Sequence, residues 1–253
     1  MTKMRKLNFQ YAMKSVIGTR EEQQDFAIYK EIAENFVAIV CDGMGGLNGG
    51  SVASKVAAET FINTMENKGD DENIPQLLLR SVDIMDEKVF SLKNDQGAKL
   101  NAGTTFVAVV IENDNVYWLS IGDSRLYIMR NNEFMQVTRD HNYELILSSM
   151  PPNYIPSEDE LNRKEALVSF VGMGGIEIMD LSQNPIKLLP GDKLLLTSDG
   201  LFKALPDNLI KAILDEKSDA ETTADNLITA AENNSVECRD NITLIYIDIK
   251  ENE

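Results

Sequence analysis

The chain has 253 residues, 43% hydrophobic and 26% charged, enough to bury a substantial core, and no apolar run nears the roughly 20 residues that span a bilayer. Its 24 Lys and Arg against 41 Asp and Glu leave a formal charge of −17, which repels polyanions and anionic membranes and argues against nucleic acid as a partner. Two cysteines, Cys41 and Cys238, are too few for a disulfide scaffold, and the single His141 excludes a site built mainly from imidazole ligands.

The basic stretch MTKMRKLNFQ is not followed by an apolar segment of signal-peptide length, which points to a cytoplasmic protein. Residues 7–17, LNFQYAMKSVI, alternate in part and predict a first strand, broken at Gly18 before the polar turn TREEQQ. Arg20 and Asp25 stand at the two edges of that turn. Asp25 opens a second strand, DFAIY, and a charged linker at 30–35 leads to FVAIV, so the two read as a hairpin feeding Asp42. The run at 36–40 is expected as a buried strand that stops at Asp42, where Gly43, Gly45 and Gly46 free the backbone to approach an ion or a phosphate. Taken alone, the same stretch reads equally as a glycine-rich turn with a solvated acid.

Residues 50–66 place Ala53, Val56, Ala57, Thr60, Phe61, Thr64 and Met65 at helical intervals, and 74–92 do the same with Ile74, Leu77, Leu78, Val82, Met85, Val89 and Leu92. After the loop NDQGAKLNAG, the segments TTFVAVVIE, VYWLSIG and RLYIMR predict an antiparallel meander. Pro151, Pro152 and Pro156 interrupt weak helical patterns, so 139–171 reads as an irregular excursion. KLLPGDKLLLTSDG supplies a tight turn at Pro190 and Gly191 and a buried strand at 194–197 that leads to Asp199. Helices at 206–216 and 219–233 precede a last strand, NITLIYIDI. Strands and helix pairs without regular βαβ alternation predict an α+β fold of antiparallel sheets with helices on their outer faces.

Asp42, Asp123, Asp199 and Asp240 each stand at the edge of a strongly apolar strand, three of them beside Gly or Ser. Any one of them is an ordinary strand-to-turn residue. Four such ends of one sandwich can converge, and clustered carboxylates repel one another unless a cation neutralises them or protons bind. Oxygen-only ligation favours Mg²⁺ or Mn²⁺, or Ca²⁺ in a larger cage.

In order, the chain carries IGTREEQQDFAIY, VCDGMGG, AGTTFVAVVI, SIGDSRLYIMR, VTRDHN, LPGDKLLLTSDGLFKAL and RDNITLIYIDI. From about residue 8 to residue 249 this resembles the metal-dependent Ser/Thr protein phosphatases of type 2C, particularly their compact bacterial members. The resemblance implies a four-layer αββα sandwich of two mainly antiparallel sheets, one catalytic domain over 1–253, with 139–171 as a flap beside the active site. It implies that Asp42 bridges two Mn²⁺ or Mg²⁺ ions, that Gly43 offers a carbonyl, and that Asp199 and Asp240 complete one shell. Asp25 is similar to the acid that holds waters of the ions, and Arg20 to the guanidinium that grips the substrate phosphate. Asp123 resembles the holder of a third, weaker ion shared with Asp199.

The implied reaction is hydrolysis of phosphoserine or phosphothreonine through a metal-bridging water, with Arg20 and Asp42 as catalytic residues and no phosphoenzyme. Implied partners are phosphorylated proteins, among them a Ser/Thr kinase or its targets, with neither nucleic acid nor membrane, and the chain is expected as a monomer. Thr104, Thr105 and Cys41 are read as core, and His141 as a structural hydrogen-bonding residue. The chain departs from the pattern at Met44, where many animal relatives carry a histidine acid. It departs again at Gln23 and Gln24, in place of Asn and Glu, and in its proline-broken flap. Two other readings stay open: a binding or regulatory module that keeps the fold, and a hydrolase of small phosphate esters.

Overall fold

The computed structural model describes residues 8–46, 49–69, 71–234 and 239–250; the basic residues 1–7, including Leu7 of the first expected strand, and Cys238 lie outside them. One sheet is ordered β1 (Asn8–Val16), β12 (Ile242–Lys250), β11 (Lys193–Thr197), β7 (Arg125–Arg130), β8 (Glu133–Gln136). The other runs β10 (Ile186–Lys187), β6 (Asn115–Ile121), β5 (Phe106–Glu112), β3 (Asn35–Gly45), β2 (Asp25–Ile32), with β4 (Ala102–Thr104) on β3 and β9 (Asp180–Leu181) on β6. Neighbouring strands in both sheets pair antiparallel.

Period-two alternation decides which layer each side chain joins. On β3, Phe36, Ala38 and Val40 meet Leu194, Leu196, Ile245 and Ile247 of the opposite sheet, while Val37, Ile39 and Cys41 face outward. That outer face is covered by α1 (Gly49–Glu66) and α2 (Ile74–Phe90). Ala53, Ala57 and Ala58 bring α1 close to the sheet, and α2 begins on an Asn73–Gln76 capping box with proline in its first turn. The other sheet turns Tyr127, Leu195, Leu244 and Tyr246 outward against α5 (Asp199–Ala204), α6 (Asp207–Asp215) and α7 (Ala220–Asn234). Asp42 comes next in the inward row of β3, at one end of the sandwich.

Four expectations change in the structure. The 30–35 linker is mostly ladder, since Lys30 pairs with Val37 and Ile32 with Asn35, leaving Ala33 and Glu34 as a two-residue turn. The third strand does not stop at Asp42. β4 supplies new partners where β5 ends, matching Gly43 with Thr104 and Gly45 with Ala102. The meander breaks at Gly122, whose φ of 97° turns the chain out of one sheet so that β7 pairs with β11 and β8 in the other. The excursion at 139–171 contains two short helices, α3 (Tyr143–Ser148) and α4 (Glu158–Asn162), each with a side-chain cap at Asn142 or Ser157, and the prolines fall between them.

Candidate active site

Strand register alone brings the first two acids together: Asp25 on β2 is the direct partner of Asp42 on β3. The opposite sheet contributes Ser198 and Asp199 after β11 and Asp240 before β12. Ser198 joins the sheets, donating from Oγ to Asp25 Oδ2 at 2.7 Å while accepting the Thr243 amide at 3.1 Å. Asn241 does the same for the preceding loop: its Oδ1 accepts the Gln24 amide at 2.8 Å, and its Nδ2 donates to the carbonyls of Ile17 at 2.9 Å and Glu22 at 3.1 Å. A Cβ on Gly18 would lie 2.2 Å from the Asp240 carbonyl oxygen, so only glycine lets the loop pass this close. Arg20 is thereby carried to the acids, and its Nη2 donates to Asp240 Oδ2 at 2.7 Å with 59% of its side chain exposed.

The main chain of Asp42 is clamped. Its amide donates to Thr105 Oγ1 at 2.9 Å, and its carbonyl accepts from the Thr105 amide and Thr104 Oγ1, both at 2.9 Å. Thr105 Oγ1 also lies 2.6 Å from Ser124 Oγ, coupling the clamp to the turn that bears Asp123. Thr104 and Thr105, expected as core, are indeed buried, but their hydroxyls are spent on holding the Asp42 main chain. Gly43 donates its amide to the Gln24 carbonyl at 3.1 Å, and a Cβ there would lie 2.2 Å from the Gly50 carbonyl oxygen, where α1 begins.

The acids raise one another's proton affinity. Burial pushes Asp42 well above the ordinary carboxylate range, reinforced by Asp25, Asp199, Asp123 and Asp240. Burial lifts Asp25 to about 7, against hydrogen bonds from Ser198 and Thr243 and with repulsion from Asp199 and Asp240. Asp123 rises to about 6, again chiefly by burial, with Asp199 repelling it and Lys203 pulling it back. Asp25 is only 7% exposed and Asp199 8%, and the Oδ1 of each is buried without a hydrogen-bond partner.

Two cations of the chain itself take up other oxygens, Arg20 at Asp240 and Lys203 at Asp199 Oδ2. In that arrangement, no three His, Cys, Asp or Glu side chains among the described residues close into a ready ligand cage. The donor set still fits a divalent ion. Buried carboxylate oxygens left unpaired next to further acids are what a hard cation would satisfy, and no thiolate or imidazole competes.

Gln23 donates to Ser15 Oγ at 2.8 Å and Gln24 Nε2 to the Gly45 carbonyl at 3.1 Å, so both brace the loop. His141 is fully buried; its Nδ1 accepts the Gly122 amide at 3.1 Å, its own amide donates to the Gly122 carbonyl at 2.9 Å, and Nε2 lies 3.5 Å from Asp180 Oδ1. It fixes the turn between the sheets, the structural role expected of it. Met44 lines a surface cavity with Phe90, Lys99, Phe170 and Met173. Sequence reasoning missed Ser198, Asn241 and Lys203. The first two adjoin predicted acids, in SDG and DN, but Ser and Asn beside a strand read as turn or cap residues.

The chain matches the protein phosphatase 2C family over residues 14–232. A serine/threonine phosphatase, stp, of Listeria welshimeri is 31% identical over 217 residues, covering 84% of each chain. The serine/threonine phosphatase of S. agalactiae superposes with a TM-score of 0.82 at 26% identity, covering 96% of this chain and all of that one. The catalytic domain of the protein phosphatase PstP, in complex with two manganese ions, shares the fold with a TM-score of 0.76 at 23% identity, covering 96% of this chain and 99% of its own.

Proposed function

The chain belongs to the protein phosphatase 2C family, and we propose that it is a metal-dependent phosphoprotein phosphatase acting on phosphoserine and phosphothreonine, in opposition to a Ser/Thr kinase. The observation that carries this reading is the pair of buried, unpaired oxygens on Asp25 and Asp199 beside Asp42, with the Arg20 guanidinium at the rim. The relatives named as serine/threonine phosphatases support the substrate class. The manganese complex of a protein of the same fold supports Mn²⁺ as the first ion to test, with Mg²⁺ beside it. We take both sheets and their helices as one catalytic domain over 1–253, with 139–171 as its flap.

Asp42, Asp199 and Asp240, with the Gly43 carbonyl and Asp25, would hold two divalent ions; Asp123, on the turn after β6, feels the charges of Asp199 and Lys203. Bound there, the ions would supply positive charge against the phosphoryl oxygens and make water acidic enough to attack phosphorus at neutral pH. Arg20, on an exposed side chain, exchanges Asp240 for the substrate phosphate, which it grips through two N–H groups. Thr105 and Asn241 hold the backbones of Asp42 and of the Arg20 loop, so that these groups need no rearrangement as charge develops. Met44 carries no proton to give, so the departing hydroxyl takes its proton from water.

The full chain, cytoplasmic and monomeric in this reading, should release phosphate from a phosphothreonine peptide when Mn²⁺ is added and not in EDTA. Asp42→Asn should abolish release while circular dichroism stays unchanged. Absence of turnover with every divalent ion by a folded chain would overturn the reading.

A further inference from the structure

Lys203 has no part in the mechanism above, yet it sits among its acids. It follows Asp199 by one helical turn in α5, and its Nζ donates to Asp199 Oδ2. Its charge also draws down the Asp123 carboxyl and is favoured in turn by Asp199, Asp123 and Glu165. One ammonium thus serves acids from α5, from the β6–β7 turn and from the segment after α4. Arg20 meets Asp240 from a surface loop far off in sequence, whereas Lys203, with 51% of its side chain exposed, springs from the same helix as its partner and stays within reach of it.

The charge balance points the same way. Five carboxylates act on one another here, those of Asp25, Asp42, Asp123, Asp199 and Asp240. Two divalent ions together with Arg20 and Lys203 would neutralise them with one positive charge over; a third ion would leave three. An ammonium hydrogen-bonded to one oxygen of Asp199 and a dication placed between that residue and Asp123 would also repel each other at close range.

We propose that Lys203 is a resident cation that occupies the Asp123 side of the cluster and keeps Asp123 from holding a divalent ion, confining metal to Asp25, Asp42, Asp240 and the free oxygen of Asp199. This rests on the metal reading given under Proposed function. It makes the number of bound ions a property of one side chain on α5.

The test is Mn²⁺ titration of the metal-free full chain, followed by calorimetry and by the electron-spin signal of free Mn²⁺. Asp123→Asn should leave the wild-type isotherm unchanged. Lys203→Gln should bind one Mn²⁺ more than wild type, the double variant Lys203→Gln with Asp123→Asn should lose that ion again, and Lys203→Arg should match wild type. Loss of a binding event in Asp123→Asn alone would overturn the proposal, because Asp123 would then hold an ion despite Lys203. So would a Lys203→Gln isotherm equal to wild type. Failure of the underlying reading looks different: wild type takes up no Mn²⁺, or Asp42→Asn takes up as much as wild type, and the proposal then falls with it.

Discussion

Asp25 is a carboxyl in a place where burial works against its charge. Its affinity for a proton, near 7 in the folded chain against 3.8 for an ordinary Asp, means that the metal-free fold keeps a proton which the unfolded chain gives up between those values. Stability from this group is therefore full below about pH 4 and is lost as the pH rises toward 7, on the order of a few kcal/mol in all. Asp42 and Asp123 shift in the same direction. In EDTA, the melting temperature should fall between about pH 4.5 and 7, and Asp25→Asn should flatten that fall by roughly 5 °C. Melts followed by circular dichroism decide it, and an equally steep slope in the variant would refute the assignment. Arg20 is a different case, exposed and free to exchange partners. Arg20→Ala should lower kcat/KM on a phosphothreonine peptide by roughly 10- to 100-fold, the worth of charge-assisted hydrogen bonds, without changing the melting temperature measurably.

The segment after α4 is tied to α2 through one acid that the sequence disguises. Asp86 is buried, and its carboxylate accepts the amides of Gly172 at 2.7 Å, Gly174 at 3.3 Å and Gly175 at 2.6 Å. In the sequence it stands between Asp83 and Glu87 on an amphipathic helix, where it reads as one more solvated charge. Asp86→Ala takes the acceptor from three amides at the edge of the fold, one half-buried and two on exposed glycines, so it should cost about 1 kcal/mol. Hydrogen exchange at residues 172–175 should speed up well before that of α1, and unaltered exchange there would show that the loop is held by other contacts. At this scale the long elements were legible because each repeats its period many times, as in α2 with Leu77, Leu78, Val82, Met85 and Val89. α5 and the strands β8, β9 and β10 were not, since two to six residues of mixed polarity show neither a period nor the apolar run that betrays the equally short β7 and β11, and only their neighbours make them regular.

Over the whole molecule the formal charge of −17 sets a field that any substrate meets before it meets the site. Phosphopeptides with Lys or Arg flanking the phosphorylated residue should be turned over faster than acidic ones of equal length by about tenfold at low salt. The gap should close as ionic strength is raised through about 0.15 M, where charges more than about 8 Å apart are screened. A preference that ignores salt would place the discrimination in contacts at the site instead. The sequence by itself determined the class of fold and singled out the candidate acids, because the continuous apolar runs of β3 and β12 and the recurrent Asp at strand ends are local patterns written in adjacent residues. It also determined that Asp42 shares a row with Phe36, Ala38 and Val40, since period two leaves no other choice. Only the tertiary structure decided that β7 leaves its neighbour for the other sheet, that Ser198 and Asn241 stitch the two sheets at the site, and that Lys203 of α5 comes to act on Asp123. Those outcomes depend on which strand ends come to lie side by side, and that is fixed by packing between segments 64 to 217 residues apart, beyond the reach of any local pattern.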